Sequence, residues 1–223
     1  MSEKLTYAIG DVHGQLALLV DLLPQIITHA NGRSCKLVFL GDYIDRGPDS
    51  AGVVALVRRF QQKWPESVIG LKGNHEAMLL EVVREPAAIS WWLGSGGYAT
   101  LASFGVSHPR EIPADVLSWI AGLPTLYEDE CRYFVHAGLH PGLSLPDQDD
   151  QTKLWIRDEF LSVDYDFGKH VVHGHTPSET GSPEVRPYRT NLDTGAVFGG
   201  PLTAGVFTDE HAHAIEFLRS GRQ

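Results

Sequence analysis

Leu37-Val38-Phe39-Leu40-Gly41-Asp42-Tyr43-Ile44-Asp45-Arg46-Gly47 decides how the rest of the chain is read. The apolar run, closed by glycine, reads as a buried strand. The chain then spills into a loop carrying two carboxylates and an arginine, and in open α/β sheets that strand edge is where ligands bind. Leu5 to Ile9 and Val68 to Leu71 are further short apolar runs. Between the three runs, apolar residues recur at helical spacing: Leu16, Leu19, Leu23, Ile26 and Ile27 within Leu16 to His29, then Val53, Val54, Leu56 and Val57 within Ser50 to Phe60. Pro24 should kink the first of these helices or end it early. Strand–helix–strand–helix–strand predicts a parallel sheet with right-handed crossovers.

The remainder is less regular. From His75 to about Leu123 the pattern is mostly helical, broken at Gly94-Ser95-Gly96-Gly97. It reads as a helical excursion within a single domain spanning residues 1–223. Tyr133 to Val135, His170 to His173 and Arg189 to Leu192 read as short strands. Leu202 to Phe207 and His213 to Phe217 form an expected antiparallel pair around Asp209-Glu210. Pro177 to Pro187, rich in Pro, Gly and Ser, reads as a surface loop.

Composition narrows the function. The 223 residues, 43% of them apolar, are enough for one large packed domain. A net charge of −10 argues against a general nucleic-acid binder, which carries a basic stripe. Two bound divalent ions would bring that charge to −6 and place positive charge where an anionic substrate needs it. The two cysteines, Cys35 and Cys131, support neither a disulfide framework nor a cysteine zinc site, and neither lies in a Cys-x5-Arg arrangement. They read as buried thiols of a reducing compartment. With no apolar signal segment and no run of about 18 apolar residues, the expectation is a soluble cytoplasmic protein with no membrane contact.

Polar ligand types gather at the strand ends. Gly10-Asp11-Val12-His13-Gly14 places Asp11 and His13 on one face of an extended segment, able to hold one ion together. Gly73-Asn74-His75-Glu76 follows the third strand. Asn74 suits either a helix N-cap or a metal ligand, and Glu76 either a structural partner of the helix dipole or a site residue. His136-Ala137-Gly138 and His173-Gly174-His175-Thr176-Pro177 follow two later strands. A single histidine at a strand end is ordinarily incidental. Five strands each ending in glycine plus Asp, Asn or His are not independent accidents. Carboxylate, imidazole and amide oxygen together suit manganese, iron or zinc better than calcium.

Gly10-Asp11-x-His13-Gly14, Gly41-Asp42-x-x-Asp45-Arg46-Gly47 and Gly73-Asn74-His75-Glu76 resemble the three signature motifs of the metal-dependent phosphoprotein (serine/threonine) phosphatases, within the calcineurin-like metallophosphoesterases. The resemblance runs from about Tyr7 to Phe207 and is nearest the compact bacterial and phage members, as Asp193-Thr194-Gly195-Ala196-Val197-Phe198 also suggests. It implies an α+β fold, α/β-like only in its first half: a four-layer β-sandwich flanked by helices, with the site at strand C-terminal ends. It implies one metal held by Asp11, His13 and Asp42 and a second by Asp42, Asn74, His136 and His175, with Asp42 bridging; manganese comes first, with iron or zinc as alternatives. Spacing alone leaves His173 and His175 open, and the Gly-His-Thr-Pro match selects His175. Arg46 and Arg157 would grip the phosphate together with Asn74 and His75. His75 would protonate the leaving oxygen, with Asp45 orienting it and raising its pKa. The nucleophile implied is a hydroxide shared by the two ions, attacking phosphorus in line.

Arg157 lies beside Asp158 and Glu159, so a surface ion pair is the competing reading. His108, His211 and His213 read as non-functional. The expected substrates are phosphoserine and phosphothreonine in proteins, with phosphotyrosine as a further ester. The alternative is a symmetrical dinucleoside tetraphosphate hydrolase or a broad small-molecule phosphoesterase. In the bacterial dinucleotide hydrolases the second motif has Ala where this chain has Asp45, and the third usually ends in Asp where this chain has Glu76. No regulatory subunit is implied.

Overall fold

The computed structural model describes residues 4–221. The chain opens with β1 (Leu5–Ile9), α1 (Leu16–Ala30), β2 (Cys35–Phe39), α2 (Ser50–Lys63), β3 (Val68–Gly70) and α3 (Asn74–Arg84). Strands β1, β2 and β3 are parallel neighbours, as their βαβαβ order requires. Later come β4 (Leu126–Glu128), β5 (Arg132–Val135), β6 (His170–His173), β7 (Glu184–Val185), β8 (Arg189–Asn191), β9 (Thr203–Thr208) and β10 (His211–Arg219).

Two five-stranded mixed sheets result, ordered β10-β9-β1-β2-β3 and β4-β5-β6-β8-β7. The β9–β10 pair adds antiparallel to β1 in the first sheet. In the second sheet β5, β6 and β8 are parallel, with β4 and β7 antiparallel at its edges. The fold is thus the flanked sandwich implied by the motif resemblance, and the parallel-sheet pattern covers only half of it. Strands β4 and β7 are additions; β7 lies inside the segment read as a loop.

Strand periodicity explains the layering. Leu5, Tyr7 and Ile9 of β1 face the layer of α1, α2 and α3, where they join Leu19, Leu22, Val53, Val57 and Leu79. Ala8 points the other way, into a second core with Val38, Phe134, Val172 and Phe207 between the sheets. Both faces are buried, which is why the strands read as continuous apolar runs. Val135, Val171, Leu139 and Phe160 cover the outer face of the second sheet.

Helix α1 does not stop at Pro24 but continues to Ala30. Pro24 is exposed, and the carbonyl it leaves without a helical partner belongs to Val20, 54% exposed on the solvent side, where water can satisfy it. At the end of the sandwich where β5 begins and β9 finishes, buried Arg132 donates to Asp129 Oδ2 at 2.7 Å, Thr208 O at 2.9 Å and His211 O at 2.7 Å. That guanidinium ties the second sheet to the first. No helix among the described residues is long and apolar enough to cross a membrane. Both cysteines are free and half-buried.

Candidate metal centre

The parallel strands of both sheets deliver their C-terminal loops to one place. Among the described residues, six non-glycine residues have positive φ, and five of them are His13, Asp42, Asp45, Arg46 and His175. Backbone strain is concentrated where side chains must be aimed. Two glycines give the ligands room: a Cβ on Gly73 would collide with Asp42 Oδ1, and one on Gly174 with Asp11 Oδ1.

Asp42 lies between two groups of ligand atoms, His13–Asp42–His75 and Asp42–His136–His175, each set within 4.8 Å of one another. Its Oδ2 is 3.3 Å from His13 Nε2 and 4.0 Å from His75 Nε2. Its Oδ1 is 3.5 Å from His136 Nε2. Asn74 Oδ1 lies 2.8 Å from His136 Nε2 and 3.0 Å from His175 Nδ1. His173 is absent from both groups and packs on Phe160 instead. Asp11 is also outside them: its carboxylate accepts the His175 N–H at 3.1 Å.

These atoms fit cations. His13 Nδ1–H donates to Ile44 O at 2.8 Å and His136 Nδ1–H to Leu40 O at 2.9 Å, which leaves each Nε2 with its lone pair aimed inward. The inward surface is therefore rich in acceptors: imidazole nitrogens, an amide oxygen and both oxygens of Asp42. Burial, then the Glu76 charge, pushes Asp42 well above the usual carboxylate range. Burial, then Asp193 and Asp42, does the same to Asp11. Burial holds His13 far below its ordinary value and His136 at about 3. Neutral histidines beside carboxylates in a dry site are what divalent ions bind. The two adjacent clusters are consistent with a binuclear centre.

His75 and Asp45 form a buried pair. His75 Nδ1–H donates to Asp45 Oδ2 at 2.7 Å, leaving Nε2 directed at the metal side. Asp45 is itself held by Trp92 Nε1–H at 2.8 Å and by the Thr100 hydroxyl at 2.6 Å, both from the helical excursion. The expectation that Asp45 raises the His75 pKa is corrected: burial, then Arg46, lowers it to about 3. Burial lifts Asp45 to about 7 against the Thr100 and Trp92 hydrogen bonds.

Asn74 is the first residue of α3, not its cap. Glu76 is far from idle: Oε2 accepts the N–H groups of Asp42 and Gly73, both at 2.9 Å, and Oε1 that of Tyr43 at 2.8 Å. Arg46 is exposed, and its Nη1 donates to His13 Nε2 at 2.8 Å. One lone pair cannot serve both a guanidinium and an ion, so His13 Nε2 could ligate only with Arg46 turned away from it. Arg157 is exposed and pairs with neither Asp158 nor Glu159; its Nη1 donates to Thr176 Oγ1 at 3.3 Å. Sequence reasoning missed Trp92, Thr100 and buried Asp193. Only Asp193 carried a local signal, as a carboxylate with a following glycine at the end of another strand.

Residues 5–200 match the calcineurin-like phosphoesterase family, and the chain belongs to it. Among its relatives is serine/threonine-protein phosphatase 1 of Salmonella typhimurium, 30% identical over 88% of this chain and 89% of that one. An asymmetrical bis(5'-nucleosyl)-tetraphosphatase of Oceanobacillus iheyensis is 29% identical over 91% of this chain and 88% of its own. A crystal structure provisionally assigned as a diadenosine tetraphosphatase superposes with a TM-score of 0.73 at 25% identity, covering 98% of this chain and 95% of the other.

Proposed function

We propose that this phosphoesterase hydrolyses phosphate monoesters on protein side chains. The observation that carries the reading is the Asp45–His75 pair, joined at 2.7 Å with His75 Nε2 facing the ligand cluster. A serine or threonine alkoxide leaves poorly unless a positioned acid protonates it. A nucleoside polyphosphate leaving group is already a stable anion and needs no such acid. Two divalent ions, manganese first, would be held by Asp11, His13 and Asp42 and by Asp42, Asn74, His136 and His175, supplying positive charge and an activated water.

The chain's own residues do the rest. Arg46 and Arg157 grip phosphate oxygens with planar, permanently charged forks. Asn74 and His75 line the same face. His75 would take up a second proton, on Nε2, and pass it to the departing oxygen, while Asp45 holds Nδ1–H and fixes the ring. The competing reading, dinucleoside tetraphosphate hydrolysis, draws support from the tetraphosphatase relative. A comparison of kcat/KM for phosphopeptides and diadenosine tetraphosphate tests the choice. Phosphopeptides are expected to be the better substrates; cleavage of the tetraphosphate alone would overturn the reading.

A further inference from the structure

Asp193 is a buried carboxylate outside the proposed ligand set, and the chain is folded to bring it beside Asp11. The loop after β1 meets the loop after β8 at Gly10, where a Cβ would lie 2.2 Å from Leu192 O and 3.2 Å from Asp193 N. Only a glycine permits two backbones to approach so closely. A Cβ on Gly174 would stand 2.1 Å from Asp11 Oδ1 and 3.8 Å from Asp193 Cβ, so those two atoms are at most 5.9 Å apart. Asp193 is fixed in that place. Its N–H donates to Asn191 Oδ1 at 3.0 Å, its carbonyl accepts the Ser178 N–H at 2.9 Å, and its Oδ1 accepts the Gly195 N–H at 3.0 Å. Asn191 Nδ2 also donates to Thr176 O at 2.8 Å, which locks the Asp193 loop to the one that carries His175. Among the described residues that Gly195 N–H is the one donor to the carboxylate, and Oδ2 keeps its lone pairs free.

We infer that Asp193 is a positioning residue for the Asp11-side ion: from outside the ligand set, its charge sets how tightly that ion is held relative to the ion on the His136 and His175 side. The inference rests on the two-ion part of the reading above and holds whichever ester is hydrolysed. Two carboxylates this close and this dry repel each other unless a cation or a shared proton lies near both. After burial, Asp193 raises Asp11 most, ahead of Asp42. It does not figure among the groups that most shift Asp42, His136 or His175, which places its influence on the Asp11 side. The two sides are then unequal in charge. Asp11, Asp42 and Asp193 surround one with three carboxylates, whereas the other has Asp42 with an amide oxygen and two imidazoles. Every anion in a region of low effective dielectric adds to the hold on a divalent ion. Groups just outside a metal's ligands change its affinity by about 10–100-fold.

Asp193→Asn tests this, because the amide keeps the Oδ1 that receives the Gly195 N–H and removes only the charge. Manganese is titrated by calorimetry into the metal-free full chain of wild type, Asp193→Asn, His13→Ala and the His13→Ala, Asp193→Asn double variant. Urea unfolding in chelator is measured beside each. Wild type should bind two ions. Asp193→Asn should weaken one of them by about 10–100-fold and leave the other within about twofold. The ion that survives His13→Ala should be indifferent to the second substitution. Metal-free stability should stay level or rise, since a repulsion with Asp11 is removed. Two unchanged affinities overturn the inference and leave Asp193 as a turn residue or the holder of a proton shared with Asp11. Equal weakening of both ions, or weaker binding matched by a fall in metal-free stability, overturns it in favour of a general disturbance. A wild type that binds no manganese overturns the two-ion reading itself.

Discussion

Glu76 Oε2 holds the backbone N–H of Asp42 at 2.9 Å and that of Gly73 at the same distance, joining the loops after β2 and β3 through one carboxylate. With the N–H groups of Tyr43 at 2.8 Å and Ile44 at 3.3 Å on Oε1, four buried donors depend on it. Glu76→Ala strands all four, and each unpaired buried group costs about 1–3 kcal/mol. A loss of at least about 3 kcal/mol is expected in urea denaturation, with metal affinity falling in parallel. A variant as stable as wild type would show that the loops hold Asp42 without it.

Asp42 and Asp45, three residues apart, should fail differently. Asp42→Asn should abolish metal binding and activity together. Asp45→Asn should leave about two metals per chain by elemental analysis, yet lower kcat by about 10²-fold, the scale of one general acid. If both variants lose metal alike, the division of roles is wrong.

Trp92→Phe and Thr100→Val each remove one donor to Asp45 without opening a large cavity. Either should lower kcat by about tenfold with metal content kept, the alkoxide-leaving phosphoserine ester suffering more than an aryl phosphate. An equal loss on both esters would indicate a general disturbance of the site.

In the metal-free protein, burial raises both Asp45 and Glu76 to about 7, above their unfolded values. A raised folded pKa gives stability that is present at low pH and is lost as pH rises through the folded value. The buried histidines have lowered values, so their penalty grows as pH falls through the unfolded value of about 6.5, and it is common to wild type and to a variant at Asp45. Between pH 6.5 and 8.5 each of these two carboxylates takes away about 0.8 kcal/mol, so metal-free wild type should lose about that much more stability across the window than metal-free Asp45→Asn. Excess manganese should oppose the fall, since the ions bind the deprotonated site. Chemical denaturation of both proteins at both pH values, with and without chelator, checks the sign; an equal change in the two would refute it. Chelator should also abolish hydrolysis of an aryl phosphate.

Arg132→Met should cost about 2–3 kcal/mol in stability by releasing Asp129 and two backbone carbonyls. Because Arg132 lies where β5 begins, at the far end from the ligand loops, kcat at saturating substrate should not change. A fall in kcat would mean that the two sheets shift relative to each other when the clamp is lost.

Much of the site could be read from the chain because metal ligands must be particular residue types. The proposed ligands Asp11, His13, Asp42, Asn74, His136 and His175 each sit just after a buried apolar run, a strand's C-terminal end is a local property, and the structure groups His13, Asp42, His136 and His175. Trp92 and Thr100 were illegible for the opposite reason: their bonds to Asp45 span 47 and 55 residues of chain. Glu76 was read as a partner of the helix dipole because its real partners lie mostly on another loop. Likewise the two-residue β7 exists only by pairing with β8, and a Pro-, Gly- and Ser-rich segment gives no periodic trace of that.

The indole of Trp92 has one further consequence. The proposed ligands come from strand ends that the sandwich holds fixed, whereas Trp92 and Thr100, which steady Asp45, come from the excursion between α3 and β4. On the proposed function, metal capture and leaving-group protonation are therefore encoded in separate lengths of chain. A lineage could exchange the excursion and acquire new esters while inheriting the ion site unaltered, which makes this insertion the natural place to look for divergence of substrate within one unchanging centre.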